Sequence, residues 1–393
     1  MRHAKDRKWL LAITFLIVSL SSCAQNTAEK NILPGAYSIS EYLPLLEGKN
    51  VALVVNQTSE LRSVHLVDTL QSLGIKTTVI FAPEHGFRGT EDAGKAIKDQ
   101  VDEKTNIPIY SLYGANKKPS KEQLKGIEIV VFDIQDVGAR FYTYLSTLHY
   151  VMESCAELNI PVIVLDRPNP NIHYVDGPVM EKEHMSFVGL HPVPIVYGMT
   201  IGEYAKMING EKWLANGVMC DLKVIKVQNY TRKSRFDLPI KPSPNLPTAN
   251  SISWYPSLCL FEGTVVSAGR GTMMPFEVVG HPKYNKKDFS YSPIAIKGMS
   301  SFPKFKNQQV YGIDLRQKSQ VKTQLDLGPL LEMYTDLNLG DGFFNNFFEN
   351  LAGTGELRKA IQAGLTEVEI RALWQEDLEE FKKVRVKYLV YPN

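Results

Sequence analysis

The sequence predicts an α/β protein: a Rossmann-like parallel sheet over residues 33–200 and a smaller α+β domain over 201–393, with a cleft between them. Three observations carry this. Runs such as Val51-Ala-Leu-Val-Val55 and Ile127-Glu-Ile-Val-Val-Phe-Asp133 are largely apolar on both faces, as strands of a doubly covered parallel sheet are. Stretches with helical apolar spacing alternate with these runs. Finally, 393 residues exceed one comfortable core, so two domains are the default.

The amino terminus stands apart from the fold. Met1 to Lys8 is basic, and Trp9 to Leu20 is an apolar run too short to span a bilayer as a helix. Leu20-Ser-Ser-Cys23 then reads as a lipoprotein cleavage site, which makes residues 1–22 a signal peptide and Cys23 a lipidated amino terminus facing the periplasm. Residues 23–32 read as a polar tether. The leader carries Arg2, Lys5, Arg7 and Lys8 against Asp6, a net of +3, which leaves the rest at −1 from a total of +2. No basic footprint for nucleic acid survives. Cys155, Cys220 and Cys259 are widely spaced and read as buried small hydrophobes, not as a disulfide framework or metal set.

In chain order, Val51–Val55 opens the sheet, and a helix over 65–73 stops at Gly74. Strands follow at 76–80, 107–111 and 127–133, then a helix at 142–158 and a strand at 161–165. The second half has a helix at 202–208, strands at 221–227 and 309–315, a proline-rich loop at 239–247, and helices at 327–337 and 367–386. No Gly-x-Gly-x-x-Gly follows the first strand and no phosphate-binding loop is present, so no cofactor is expected.

Chemistry concentrates where strands end. Phe81-Ala-Pro-Glu-His-Gly-Phe-Arg-Gly-Thr90 places Glu84, His85 and Arg88 after the second strand, where Pro83 ends pairing and Gly86 and Gly89 let the chain bend. Phe132-Asp-Ile-Gln-Asp-Val-Gly-Ala-Arg-Phe-Tyr142 follows another strand with Asp133, Gln135, Asp136, Arg140 and Tyr142. Leu165-Asp-Arg-Pro-Asn169 supplies Asp166, Arg167 and Asn169, of which Asp166 and Arg167 could equally form an ion pair that fixes the loop. Leu260 to Thr272 surrounds Glu262 and Arg270 with glycines. Ser267 lacks a nucleophile elbow. His85, Asp133, Asp136, His149 and His173 have no metal-type spacing, so no metal is assigned, although a metal-dependent hydrolase stays open. Paired carboxylates with aromatic surfaces (Phe87, Phe141, Tyr142, Tyr144, Trp254, Tyr255) suit glycosidic cleavage, but carboxylates line many clefts.

The longer motifs narrow the choice. Pro83-Glu-His-Gly-Phe-Arg-Gly89, Val131 to Tyr144, Leu165-Asp-Arg-Pro-Asn-Pro170, Pro242-Ser-Pro-Asn-Leu-Pro247 and Glu262-Gly-Thr264 through Gly269-Arg-Gly-Thr272 resemble the NamZ/YbbC family over residues 40–393. The resemblance implies an exo-β-N-acetylmuramidase that releases N-acetylmuramic acid from the non-reducing end of peptidoglycan fragments. Two positions depart from the family pattern: Ala268 stands where an acidic residue is usual, and Asp176 where Glu is usual. A non-catalytic muropeptide-binding lipoprotein is therefore the alternative. Glu84 is expected to be the general acid, kept protonated by burial. Glu262 is expected to be its partner carboxylate, with Asp133 and Asp136 as competitors. Retaining, inverting and substrate-assisted routes all stay open. Arg88, Arg140 and Arg270 are candidates to hold the lactyl carboxylate, and His85, Asp133, Gln135, Asp136, Tyr142, Asp166, Arg167 and Asn169 complete the expected substrate contacts.

Overall fold

Seven strands build the central sheet: β1 (Val51–Val55), β2 (Thr77–Ala82), β3 (Gln100–Val101), β4 (Pro108–Ser111), β5 (Ile129–Asp133), β6 (Val162–Leu165) and β7 (Leu222–Ile225). The computed structural model describes residues 31–87, 99–317 and 322–393. The strand order is β7-β6-β5-β1-β2-β4-β3. Every pairing is parallel except that of the short β3 with β4. Register sets Val55 beside Asp133 and Ala82 beside Ser111, so the carboxyl ends of β1, β2, β4 and β5 reach one edge.

Side-chain alternation explains why these strands are apolar throughout. Ala52, Val54, Phe81, Val130, Phe132, Val162 and Val164 pack into one core, whereas Val51, Leu53, Val55, Ile80, Ile129, Val131 and Ile163 pack into another. Helices cover both faces: α1 (Ile39–Leu46) and α2 (Leu66–Ser72) on the second core, and α3 (Tyr144–Glu157) and α4 (Ile201–Gly210) on the first. At roughly 25 cal/mol per Å² of apolar surface, this double coverage is the main term favouring the fold.

The sheet runs past the residue-200 boundary that the sequence suggests, because β7 extends it beside β6. Residues Leu33–Asn393 form one compact unit. After β7 come α5 (Ala249–Leu258) and a 3₁₀ turn over Cys259–Gly263. An antiparallel sheet follows, of β8 (Val278–His281), β9 (Ser290–Tyr291) and β10 (Val310–Asp314), and then helices from Gly328 onward. The expected helix over 367–386 is two helices, Glu367–Ala372 and Gln375–Arg385. The break lets Trp374 Nε1 and Arg371 both donate to Asp176, at 3.1 and 2.6 Å.

Candidate active site

The turn after β2 is built to present one carboxylate. The Gly86 N–H donates to the Pro83 carbonyl at 3.0 Å, closing a turn around Glu84 and His85. His85 has φ of +71° and Gly86 of +77°. The first is a left-handed conformation that costs a non-glycine residue on the order of 1 kcal/mol, and such strain gathers at functional sites. His85 is buried, and its Nε2 lies 3.1 Å from Ser243 Oγ in the proline-rich loop. Glu84 is half-buried between two donors. Thr143 Oγ1 donates to its Oε2 at 3.0 Å. The Tyr113 hydroxyl bonds to it from the end of β4, and burial followed by the Glu84 charge pushes that phenol well above its usual range.

The second carboxylate comes from the turn after α5. Thr248 starts α5 with a reciprocal cap to Ser251, and the 3₁₀ turn then carries Glu262 outward. Gly263 is required here, because a Cβ would lie 2.5 Å from Phe348 Cα. Arg270, raised between Gly269 and Gly271 (φ +76° and +79°), ion-pairs with Glu262 and lies over the Phe276 ring. Glu262, Arg270, Ala268 and Lys304 line a cavity of about 290 Å³, with Phe302 and Phe347 at its rim. Phe302 is 90% exposed, with the Lys306 ammonium over one face of its ring at 5.7 Å. Lys304 Nζ donates to the carbonyls of Phe261, Thr264 and Val266 at 2.6–3.0 Å, and burial lowers its pKa to about 8. Glu84 and Tyr113 do not line this cavity, although Tyr113 lies near enough for the charges of Glu84, Arg270 and Glu262 to act on its hydroxyl.

Several expected substrate contacts belong instead to the fold. Arg167 clamps Asp133 through two bonds of 2.6 and 2.8 Å, both residues being buried, so the expected ion pair with Asp166 gives way to a backbone bond from Arg167 N to Asp166 Oδ1 at 2.9 Å. Asp166 accepts from Gly202 N, Thr200 Oγ1 and the Tyr391 hydroxyl. Arg140 is fully buried and donates to the carbonyls of Pro178, Val193, Leu351 and Ala352 at 2.7–2.8 Å. That leaves it no face for a lactyl group. Gln135 bridges the carbonyls of Asp136 and Pro168, Tyr142 donates to Pro242 O, and Asn169 Nδ2 donates to Met199 O. Asp136 accepts from Tyr197 and Gly138 N, while burial raises its pKa to about 6. Phe141, Tyr142, Tyr144 and Tyr255 pack edge-to-face on one another in the core. Arg88 and Cys23 lie outside the described residues.

The five residues weighed as metal ligands do not converge. His149 meets His191 and His173 meets the Lys322 carbonyl, whereas Asp133 is held by Arg167. Among the described residues, only Glu181, Glu183 and His184 come together as such a group, at the surface. Tyr113 follows a strand end as Glu84 does. Thr143 lies within the Val131–Tyr144 motif, and nothing local in the sequence marks Lys304.

Residues 51–250 match the family described as exo-beta-N-acetylmuramidase NamZ, N-terminal, and residues 253–391 match its C-terminal counterpart. The chain belongs to the NamZ family. It is 40% identical over 382 residues to the peptidoglycan beta-N-acetylmuramidase NamZ of Bacillus subtilis strain 168, covering 90% of this chain and 89% of that one. Two solved DUF1343 family proteins from Bacteroides fragilis NCTC 9343 share its architecture. One is 43% identical with a TM-score of 0.86, covering 93% of this chain and 100% of that one. The other is 27% identical with a TM-score of 0.80, covering 92% and 99%. The two NamZ matches meet inside α5, which assigns Glu84 to the N-terminal part and Glu262 to the C-terminal part.

Proposed function

We propose that this chain is an exo-β-N-acetylmuramidase, a glycoside hydrolase that releases N-acetylmuramic acid from the non-reducing end of peptidoglycan fragments. The observation that carries the reading is the match to both NamZ parts together with the carboxylate each part supplies. Glu84 protonates the departing glycosidic oxygen, with Thr143 and Tyr113 fixing the carboxyl group. Glu262 is the partner carboxylate, because its pair with Arg270 opens into the cavity, whereas the Asp133–Arg167 pair is buried and Asp136 is sealed behind Tyr197. Arg270 faces the same cavity and can pair with the lactyl carboxylate, and Phe302 offers the sugar an apolar face. Ala268 lines this cavity where the family pattern leads one to expect an acid, which leaves Arg270 with less competition for a substrate anion.

The amino-terminal pattern supports a signal peptide, a lipid on Cys23 and a periplasm-facing location. Among the described residues no helix is long and apolar enough to cross a membrane. The deciding experiment incubates residues 24–393 with para-nitrophenyl N-acetyl-β-muramide and with a muramyl-terminated disaccharide. Release of nitrophenol and of free N-acetylmuramic acid is expected. Binding of the disaccharide without cleavage would favour the muropeptide-binding alternative instead.

A further inference from the structure

A second cavity, of about 710 Å³, shares no lining residue with the one around Glu262 and Arg270. Its volume is in the range of sites that enclose small ligands, roughly 300–1,000 Å³. The walls come from the segment after Asn169, the stretch over residues 232–238, α5 and the carboxyl-terminal helix. Five cations line it: Arg232, Lys233, Arg235, Lys382 and Arg385. Among the described residues of the lining, Asp237 is the single acidic side chain.

Two of these cations are packed against each other. Arg232 Nη1 and Arg385 Nε both donate to the Gly198 carbonyl, at 2.8 and 3.1 Å. Placing two guanidiniums on one oxygen is electrostatically unfavourable, and burial with Arg232 repulsion lowers the pKa of Arg385 to about 10. Glu203 beneath them answers only one positive charge. Its Oε1 is already shared between Arg232 and the Val390 N–H, and its Oε2 accepts from Thr200 N. Arg232 is 7% exposed, and its Nε has no hydrogen-bond partner among the described residues. A buried, unpaired donor beside a doubled charge is costly unless an anion completes it.

The rest of the lining indicates which anion. Tyr174, Phe236, Leu238 and Ile252 give the cavity apolar walls. A bare phosphate would leave these unused, and a nucleic acid needs an extended basic face that a chain of net charge +2 does not offer. A short chain with carboxylates for the arginines and small apolar side chains for the walls uses both.

We propose that this cavity binds a short acidic peptide, its carboxylate held by Arg232 and Arg385 and its side chains by the apolar wall. The site is independent of the glycosidase reading and is tested without reference to turnover. The probe is a fluorescein-labelled Ala-Glu-Ala-Glu-Ala peptide, titrated by fluorescence polarisation into residues 24–393, with inorganic phosphate, unlabelled acetyl-Ala-Glu-Ala-Glu-Ala and the uncharged acetyl-Ala-Gln-Ala-Gln-Ala amide as competitors. Saturable binding is expected, and the neutral amide should compete at least tenfold more weakly than the unlabelled acidic peptide. Arg385→Ala should weaken binding at least tenfold, but it also removes bonds to Gly198. The double variant Lys233→Ala/Arg235→Ala, at two exposed positions, therefore provides a second reading and should weaken binding about threefold or more with an unchanged melting curve. Non-saturable binding, equal competition by the amide, or affinity unmoved by the double variant would overturn the proposal. Displacement by phosphate at concentrations as low as those of the acidic peptide would identify a phosphate site and overturn it too.

Discussion

Glu84 carries the sharpest expectation at the scale of single residues. Glu84→Gln keeps the bond from Thr143 Oγ1 to a carbonyl oxygen but removes the transferable proton. Turnover of the disaccharide should fall by at least about 10²-fold, the usual cost of losing a general acid. A nitrophenol leaving group needs less protonation, so the loss on that substrate should be smaller. Equal losses on both would give Glu84 another role. Asp136 makes a pH prediction. Burial keeps its proton until about pH 6 in the fold against 3.8 when exposed, and its Oδ1 has no hydrogen-bond partner among the described residues. The raised value favours the folded state fully below pH 3.8, and that advantage is lost as pH rises towards 6. At about 1.4 kcal/mol per unit the swing is about 3 kcal/mol. Asp136→Asn cannot ionise, so urea denaturation should show it gaining on the parent chain between pH 4.5 and pH 7.5. A difference that does not change with pH would show that the Asp136 carboxyl is ionised throughout. The motifs around these residues were legible because functional side chains follow strand ends, yet their roles were not. Asp133, Arg167, Arg140 and Asn169 are as polar and as motif-bound as Glu84. Only burial and saturated bonding separate a structural clamp from a reagent.

Local elements follow the same division. The strands Val51–Val55, Ile129–Asp133 and Val162–Leu165 were readable because apolar residues on both faces admit one environment, the middle of a covered sheet. Helix α5 is hidden in the sequence: Pro247 just before it and Pro256 within it argue against a helix, while the Thr248 cap and tertiary packing override them. The helix over 367–386 read as continuous because its break depends on Asp176, almost two hundred residues away. The turn that follows α5 gives the prediction at this scale. Gly263→Ala forces a methyl group against the Phe348 backbone, for which overpacking costs about 1–3 kcal/mol. The denaturation midpoint should drop, and activity should drop with it because Glu262 is the adjacent residue. An unchanged midpoint would mean that the 348–352 helix yields freely and that the turn is not held by that contact.

Across the whole molecule, the polar groups that the sequence offered as ligands act as long-range ties. Arg140 joins Pro178 and Val193 to Leu351 and Ala352. The carboxyl-terminal segment is tied as well: the Tyr391 hydroxyl reaches Asp166 and accepts from Val227 N, and the Pro392 carbonyl accepts from Arg232 N. Deleting residues 390–393 removes these bonds and leaves Asp166 and Glu203 short of donors. At about 1 kcal/mol per lost bond plus the cost of unsatisfied buried groups, melting should fall by several degrees. An unaltered melting curve would show that the tail merely rests on the surface. The tail's reach also bears on how the chain is made. Asp166 lies at the end of β6, and its last donor emerges from the ribosome more than two hundred residues later. A chain that cannot finish its sheet edge until residue 391 has been made keeps that edge loosely organised through most of its synthesis.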